Sequence, residues 1–337
     1  MRRRRKLLLG LALVALLAAT GYTGYVGYEG SRQLVEGGGS HRDCRTPDLL
    51  FGWSYEAINY DIADDELLKT RNADQKKCTY TGTIAGDEVV TDDGIHIAGW
   101  YIPAGDGSGP TAPTVVLVHG FGASKTGILE YGEGLHASFN LVAFDLRNTH
   151  RSSGDQTTVG VLEQKDLRAI IDWLERTKHP VHIGVLGNSM GAATAVAEAR
   201  HDPRVEALAL DSMHTRMRYQ VEQRLQHAGH PAYPGTWAIF LAARIRTGVD
   251  LGSIDAEDAI PEIAHLPVLL SHGTADTEDL PDRTQAFYDE ARAAGVQIEL
   301  HWCEGSGHNA PGMPVWICRD AFAKWMLDFF SKALAAA

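Results

Sequence analysis

A chain of 337 residues, 44% of them apolar and with no long low-complexity tract, can bury a sizeable core in one large domain. Its formal net charge of −12 argues against nucleic acid or anionic head groups as broad-surface partners. The four cysteines lack the spacing of a zinc site, so neither a metal nor a cofactor is expected.

The chain opens with Arg2-Arg3-Arg4-Arg5-Lys6, followed by an uncharged run over residues 7–26 that can cross a bilayer as a helix. Basic residues stay on the cytoplasmic side, which turns the rest of the chain outward. Tyr22, Tyr25 and Tyr28 would then lie at the outer interface, where amphipathic rings are favoured. The alternative is a secretory signal cleaved near the small residues at 18–21, which would release the protein. With the basic cluster set aside, the outward-facing part is more acidic still. Residues 1–29 therefore form a membrane segment, and 30–81 a tether and extension. Residues 30–40 are Gly-rich and suit a flexible linker. Residues 64–69 suit a short helix in a segment that packs beside the core or over its entrance.

From residue 82 the signals sharpen into a catalytic-domain pattern. Glu88-Val89-Val90-Thr91 and the run 95–102 flank Asp92-Asp93-Gly94, a hairpin turn signal. Thr114-Val115-Val116-Leu117-Val118 reads as a buried strand leading into His119-Gly120-Phe121-Gly122. Apolar residues at helical spacing predict a crossover helix over 161–178. A strand over 181–186 then meets Gly187-Asn188-Ser189-Met190-Gly191, and an alanine-rich helix follows. A G-x-S-x-G between strand and helix is a nucleophile elbow, whose tight turn needs small residues beside the serine. Another strand, 205–210, ends at Asp211. Two more strands, 267–273 and 297–302, precede Asp276 and Glu304-Gly305-Ser306-Gly307-His308 respectively. Strands alternating with helices imply a mainly parallel sheet covered on both faces. Residues 213–262 break this alternation with an insertion bearing methionines and aromatic rings. Long insertions in compact domains are more often functional than idle.

His119-Gly120-Phe121-Gly122, the segment FDLRNTHRSSG (144–154), GNSMGAATA (187–195), HGTAD (272–276) and GSGH (305–308) stand in this order. Over about residues 82–335 the chain resembles the α/β-hydrolase superfamily, in particular bacterial membrane-anchored serine hydrolases of the ABHD-like and serine-aminopeptidase-like branches. The resemblance implies an α/β-hydrolase fold with a helical cap at about 213–262. It also implies a Ser189–His308–Asp276 triad in the order nucleophile, acid, base. Asp211 is the rival acid, since some relatives place theirs after the earlier strand. The backbone N–H groups of Phe121 and Met190 are the expected oxyanion donors. Asn148-Thr149-His150 departs from the Gly-His-Gly that relatives often carry, so the entrance is expected to differ there. His119, His272 and His301 are read as structural, and Glu304 as a solvated charge.

These residues support ester or thioester hydrolysis through an acyl-enzyme on a small-molecule or lipid-like acyl substrate, with the cap as an apolar pocket wall. An aminopeptidase or amidase with the same triad is the enzymatic alternative. A catalytically silent cell-surface binding module is the alternative from another class. The outward orientation favours disulfides, with Cys44–Cys78 and Cys303–Cys318 as the expected pairs, the second closing a loop around His308.

Overall fold

The computed structural model describes residues 2–37, 45–59 and 89–335. The expected Cys44–Cys78 pair and the short helix over 64–69 lie outside these residues. In chain order the elements begin with α1 (Arg2–Glu36), α2 (Pro47–Phe51), β1 (Glu56–Ile58), β2 (Gly99–Ile102) and β3 (Thr114–Val118). Next come α3 (Lys125–Ile128), β4 (Asn140–Phe144), α4 (Glu163–Thr177), β5 (Ile183–Asn188) and α5 (Met190–Ala199). Then follow β6 (Val205–Asp211), α6 (Met217–His227), α7 (Ala232–Thr247), β7 (Pro267–Gly273) and α8 (Pro281–Ala293). β8 (Gln297–Cys303), α9 (Pro314–Ile317) and α10 (Arg319–Ala333) complete the chain.

The eight strands form one sheet in the order β1-β2-β4-β3-β5-β6-β7-β8. β1, β2 and β4 pair antiparallel; all pairs from β4 to β8 are parallel. The strand side chains divide by their period of two. Val116, Val118, Val185, Leu208 and Val268 join one apolar layer, while Val115, Leu117, Leu186, Ala209 and Leu269 join the other. Strands buried on both faces need continuous apolar runs, which is what β3 and β7 supply. On the first face lie α4, through Leu167, Ile170, Ile171 and Leu174, and α5, whose alanines allow close approach to the sheet. On the second face α10 brings Phe322, Met326 and Phe330. Leu50, Phe51, Trp53 and Tyr55 pack beside this second layer, so this part of the extension lies against the core. β1 and β4 are strands that the residue pattern did not single out.

The hairpin forms at its turn. Thr91 N–H donates to Ile95 O at 2.9 Å, and Val90 bridges His96 antiparallel. The side chain of Asn59 bonds Val89 N–H, Val89 O and Ile97 O, tying the hairpin to the end of β1.

One expectation fails. Residues 30–36 are not a loose tether but the last turns of α1. Leu34 and Val35 are buried, and Arg246 of α7 donates to Ser31 Oγ at 3.0 Å and to Glu36 at 3.0 Å. Packing outweighs the weak helix propensity of Gly30, because a glycine there lets α7 come close. A Cβ at Gly30 would stand 2.5 Å from Ile239 Cδ1, and one at Gly27 would stand 2.8 Å from Ala238 O.

The segment after β4 anchors this side of the molecule. Asp145 holds a buried ion pair with Lys125, and Arg147 pairs with Asp166 at 2.7 Å and Asp93 at 2.9 Å. Asn148 and His150 both sit at positive φ. Asn148 Nδ2 donates to Val35 O at 3.4 Å, and Thr157 N–H donates to the same carbonyl at 2.8 Å. The Asn-Thr-His departure thus meets the C-terminal end of α1, where carbonyls lack intrahelical donors.

Candidate active site

Ser189 occupies the turn from β5 into α5 with φ 51° and ψ −116°. Non-glycine residues rarely adopt such a backbone, and one held there is worth examining for function. The turn closes because its neighbours are glycines. A Cβ on Gly191 would lie 2.1 Å from Val118 O, and one on Gly187 would lie 2.5 Å from the Gly191 backbone. Ser189 N–H donates to Asp211 O at 2.8 Å, fixing the turn to β6.

Ser189 Oγ lies 3.0 Å from His308 Nε2, and His308 Nδ1 lies 2.8 Å from Asp276 Oδ2. The second oxygen of Asp276 accepts N–H donors from Glu278 at 2.9 Å and Asp279 at 3.0 Å. Asp276, not Asp211, therefore meets His308. Asp211 is spent elsewhere: it accepts from Ser271 Oγ at 2.7 Å, Asn188 Nδ2 at 3.0 Å and Tyr131 OH at 3.3 Å.

Electrostatics follow from these contacts. Burial raises the Asp276 carboxyl, but hydrogen bonds from His272 and His308 outweigh it and hold the group well below the usual carboxylate range. Burial opposes charge on His308, yet the Asp276 hydrogen bond and the Asp279 charge prevail and lift it to about 9. Asp279 Oδ2 stands 3.7 Å from His308 Nε2 and accepts from Gln220 at 3.1 Å. Burial pushes Asp279 up to about 6 against the opposing pull of His308.

The supporting histidines divide by contact. His119 accepts from Leu146 N–H at 3.0 Å and donates to Gly120 O at 2.8 Å, and burial lowers its pKa. It ties the Gly-rich loop to the end of β4. His272 accepts from Thr284 Oγ1 at 3.0 Å, donates to Asp279 O at 2.8 Å and lies 3.3 Å from Asp276. Its structural role therefore reaches the acid itself. His301 stacks on Trp325 with centroids 4.8 Å apart, and Glu304 is exposed. Cys303 and Cys318 are disulfide-bonded, with Cα atoms 6.0 Å apart, and the closed loop carries His308.

A cleft of about 690 Å³ opens over Ser189. Phe121 and Met190 both line it, and a Cβ on Gly120 would lie 3.3 Å from Ser189 Cβ, so the Gly-rich loop adjoins the serine. Met190 is the first residue of α5, where N–H groups have no intrahelical acceptor. The cap was expected to supply an apolar wall; beside Ser189 it supplies mostly polar side chains. From α6 come Gln220, Arg224 and His227, whereas Tyr233, Trp237, Leu241 and Ile245 of α7 are exposed. The apolar wall is Leu34 of α1 with Phe121, Val159 and Met190. The reason is that α7 spends its inward face, Ala238 and Ile239, on α1. His214 was not singled out by any residue pattern. It lines the cleft with Nδ1 buried and without a hydrogen-bond partner among the described residues. Burial first, then the His308 charge, lowers it to about 4, so it is neutral.

Among the described residues there is no cluster of histidine, cysteine, aspartate or glutamate suited to a metal ion. The assembled groups can pass a proton from a hydroxyl to an imidazole held by a carboxylate, at the first turn of α5.

The geometry has counterparts among known proteins. A family model described as the alpha/beta hydrolase fold matches residues 113–247. The chain is 33% identical over 236 residues to the uncharacterized protein Rv2307c of Mycobacterium tuberculosis, covering 67% of this chain and 74% of that protein. It is 26% identical over 297 residues to the uncharacterized protein YfhR of Salmonella typhi, covering 83% and 90%. The structure of the Pyrococcus furiosus esterase Pf2001 superimposes with TM-score 0.65 at 21% identity, covering 88% of this chain and 97% of that one. With the mainly parallel eight-stranded sheet, the serine at the tip of its central turn and these relatives together, the chain belongs to the α/β-hydrolase family.

Proposed function

We propose that the protein is a serine hydrolase cleaving carboxylic esters or thioesters, held in the membrane by α1 with its catalytic domain outside the cytoplasm. The observation that carries this reading is the unbroken contact from Ser189 Oγ through His308 to Asp276. In the neutral Nδ1–H form of His308, Nε2 takes the hydroxyl proton as Ser189 Oγ attacks the substrate carbonyl carbon. The N–H groups of Met190 and Phe121 hold the oxygen that becomes negative. The same Nε2–H then protonates the departing alkoxide, leaving an acyl-serine. Water adds by the same route, releasing the acid and restoring Ser189. Asp276 keeps the imidazole oriented and stabilises its charged form.

The Arg-rich start and the helix Leu9–Glu36, long and apolar enough over part of its length to cross a membrane, support the anchored, outward-facing arrangement. A peptidase reading would use the same three residues. Glu278 lines the cleft and could receive an amino terminus, but Arg224 at 3.1 Å and Asn309 at 2.5 Å already engage it. Ester substrates are therefore favoured.

The test is hydrolysis of p-nitrophenyl esters of increasing acyl length, with Ser189→Ala alongside and fluorophosphonate labelling in parallel. A Ser189-dependent rate with a length optimum is expected. Labelling without any ester turnover, but with turnover of amino-acyl anilides, would transfer the protein to the amidases. Failure to label at all would leave a binding module on a hydrolase scaffold.

A further inference from the structure

α1 runs unbroken from an exposed apolar stretch into the wall of the Ser189 cleft. Leu9, Leu13 and Leu17 are among its outward side chains, while Gln33 and Leu34 line the cleft. Leu34 stands six residues beyond Tyr28, the last residue before the first charge at Glu29, about 9 Å along a helix. The distance from bilayer surface to cleft is thus set by the helix itself.

The cap lies along the same stretch. The Tyr22 hydroxyl meets His230 Nδ1 just before α7, Gly27 meets Ala238, and Arg246 near the end of α7 reaches Ser31 and Glu36. α7 therefore runs beside α1 in the same direction. Its outer side shows Trp237, Leu241 and Ile245, each about one turn from the last and exposed by 58%, 42% and 76%, with Tyr233, exposed by 81%, at the non-helical kink before them. Trp237, Leu241 and Ile245 share a hollow with Ala19, Thr20 and Gly24, inside the uncharged run of α1. An apolar stripe flush with a candidate membrane span is placed to meet the same lipid, and aromatic rings suit that depth.

Between α1 and α6 lies a groove of about 260 Å³. It starts at Tyr25 and Val26, passes Val221, Leu225 and Ile239, and ends at Gln33, Leu34, Arg224 and Ala228. Those last four residues are also walls of the Ser189 cleft. The groove, mainly apolar along its length, thus adjoins the Ser189 cleft at these four residues.

We propose that this groove takes one acyl chain of an amphiphilic ester residing in the bilayer, with the α7 stripe seated in the same membrane face. The ester group then reaches Ser189 while its chain leaves lipid for protein rather than for water. This rests on the ester-hydrolase reading above and on α1 lying in the membrane.

The test uses the full chain in phosphatidylcholine vesicles carrying 4-methylumbelliferyl oleate, against 4-methylumbelliferyl acetate in buffer. Glu29→Trp fills the groove from its rim at a residue that does not line the cleft. It is expected to lower the vesicle-borne oleate rate at least tenfold and the acetate rate less than twofold. Trp237→Glu should lower only the oleate rate, by several-fold. Equal losses on both esters, or no loss on either, would overturn the groove. A second readout does not need turnover: Ser189→Ala protein is irradiated in vesicles with an oleoyl ester bearing a chain-terminal diazirine. Adducts mapping to residues 22–36 and 217–239, and lost in Glu29→Trp, support the groove even if no ester is hydrolysed. Acetate turnover with no such adducts would keep the hydrolase and remove the groove.

Discussion

The two sides of the cleft are built differently. On the sheet side, Ser189, His308 and Asp276 are held by hydrogen bonds of 2.8–3.0 Å, by glycines with no room for a Cβ, and by a disulfide. On the side of α1 and the cap, α1 meets α7 mainly through Gly27, Gly30, Ala238 and Ile239, with Arg246 bonding Ser31 and Glu36 at one end, and much of the outer α7 face is open. Directional bonds specify positions to fractions of an ångström, whereas apolar contacts specify a surface and tolerate sliding. The first side is suited to chemistry and the second to admission of a substrate.

Substitutions should separate these sides. Ser189→Ala should remove turnover almost wholly, by on the order of 10⁴–10⁶ in kcat, with the circular dichroism spectrum unchanged. Wild-type rates in a clean preparation would end the proposed mechanism. Asp276→Asn should cost on the order of 10⁴, because the imidazole loses its orienting acceptor. Asp211→Asn should cost under about tenfold by disturbing only the network of Ser271, Asn188 and Tyr131. The reverse ranking would make Asp211 the acid.

Replacing Cys303 and Cys318 together by serine should lower stability by about 2–4 kcal/mol, read by urea denaturation of the anchored protein in detergent. No loss would show that the β8–α9 connection holds its shape without the bond. The next effect is a shift rather than a loss. His308 must be neutral to accept a proton, so kcat/KM should climb with pH as it deprotonates near 9. Asp279→Asn removes a neighbouring negative charge that favours the charged imidazole, so the ascending limb should move to lower pH. An unmoved or upward-moved limb would show that Asp279 does not act on His308. On the other side, Leu241→Ser should leave soluble-ester rates within about twofold and stability within about 0.5 kcal/mol. A larger change would mean that α7 is coupled to the sheet side.

Much of the sheet side was legible in the residues. β3, β7 and β8 announce themselves as apolar or alternating runs, and Gly187-Asn188-Ser189-Met190-Gly191 needs its glycines wherever such a turn occurs. β4 was harder to see, because Asn140-Leu141-Val142-Ala143-Phe144 is short and carries no turn signal of its own. Asp276 was the expected acid with Asp211 as its rival, since each follows a strand; the contact with His308 is made by Asp276. His214 had no sequence signal at all, being one histidine among fifteen.

The other side was misread where composition suggested one role and packing imposed another. Gly30 and its neighbours looked like a linker, and became a helix because Ile239 fits where a Cβ would stand. Tyr233 and Trp237 of α7 looked like a pocket lining, and are exposed because α7 turns its inward face to α1.

The sequence by itself determined the alternation of strand and helix, the uncharged N-terminal run and the residues able to carry acyl transfer. Those properties are local: a hydrophobic period, a run length, a tight turn. Only the tertiary structure decided which aspartate meets His308, that α1 continues into the cleft wall, and which face of the cap is left bare. Each of these depends on what lies across a gap between segments far apart in the chain, and the free energy of packing is settled there, not along the backbone.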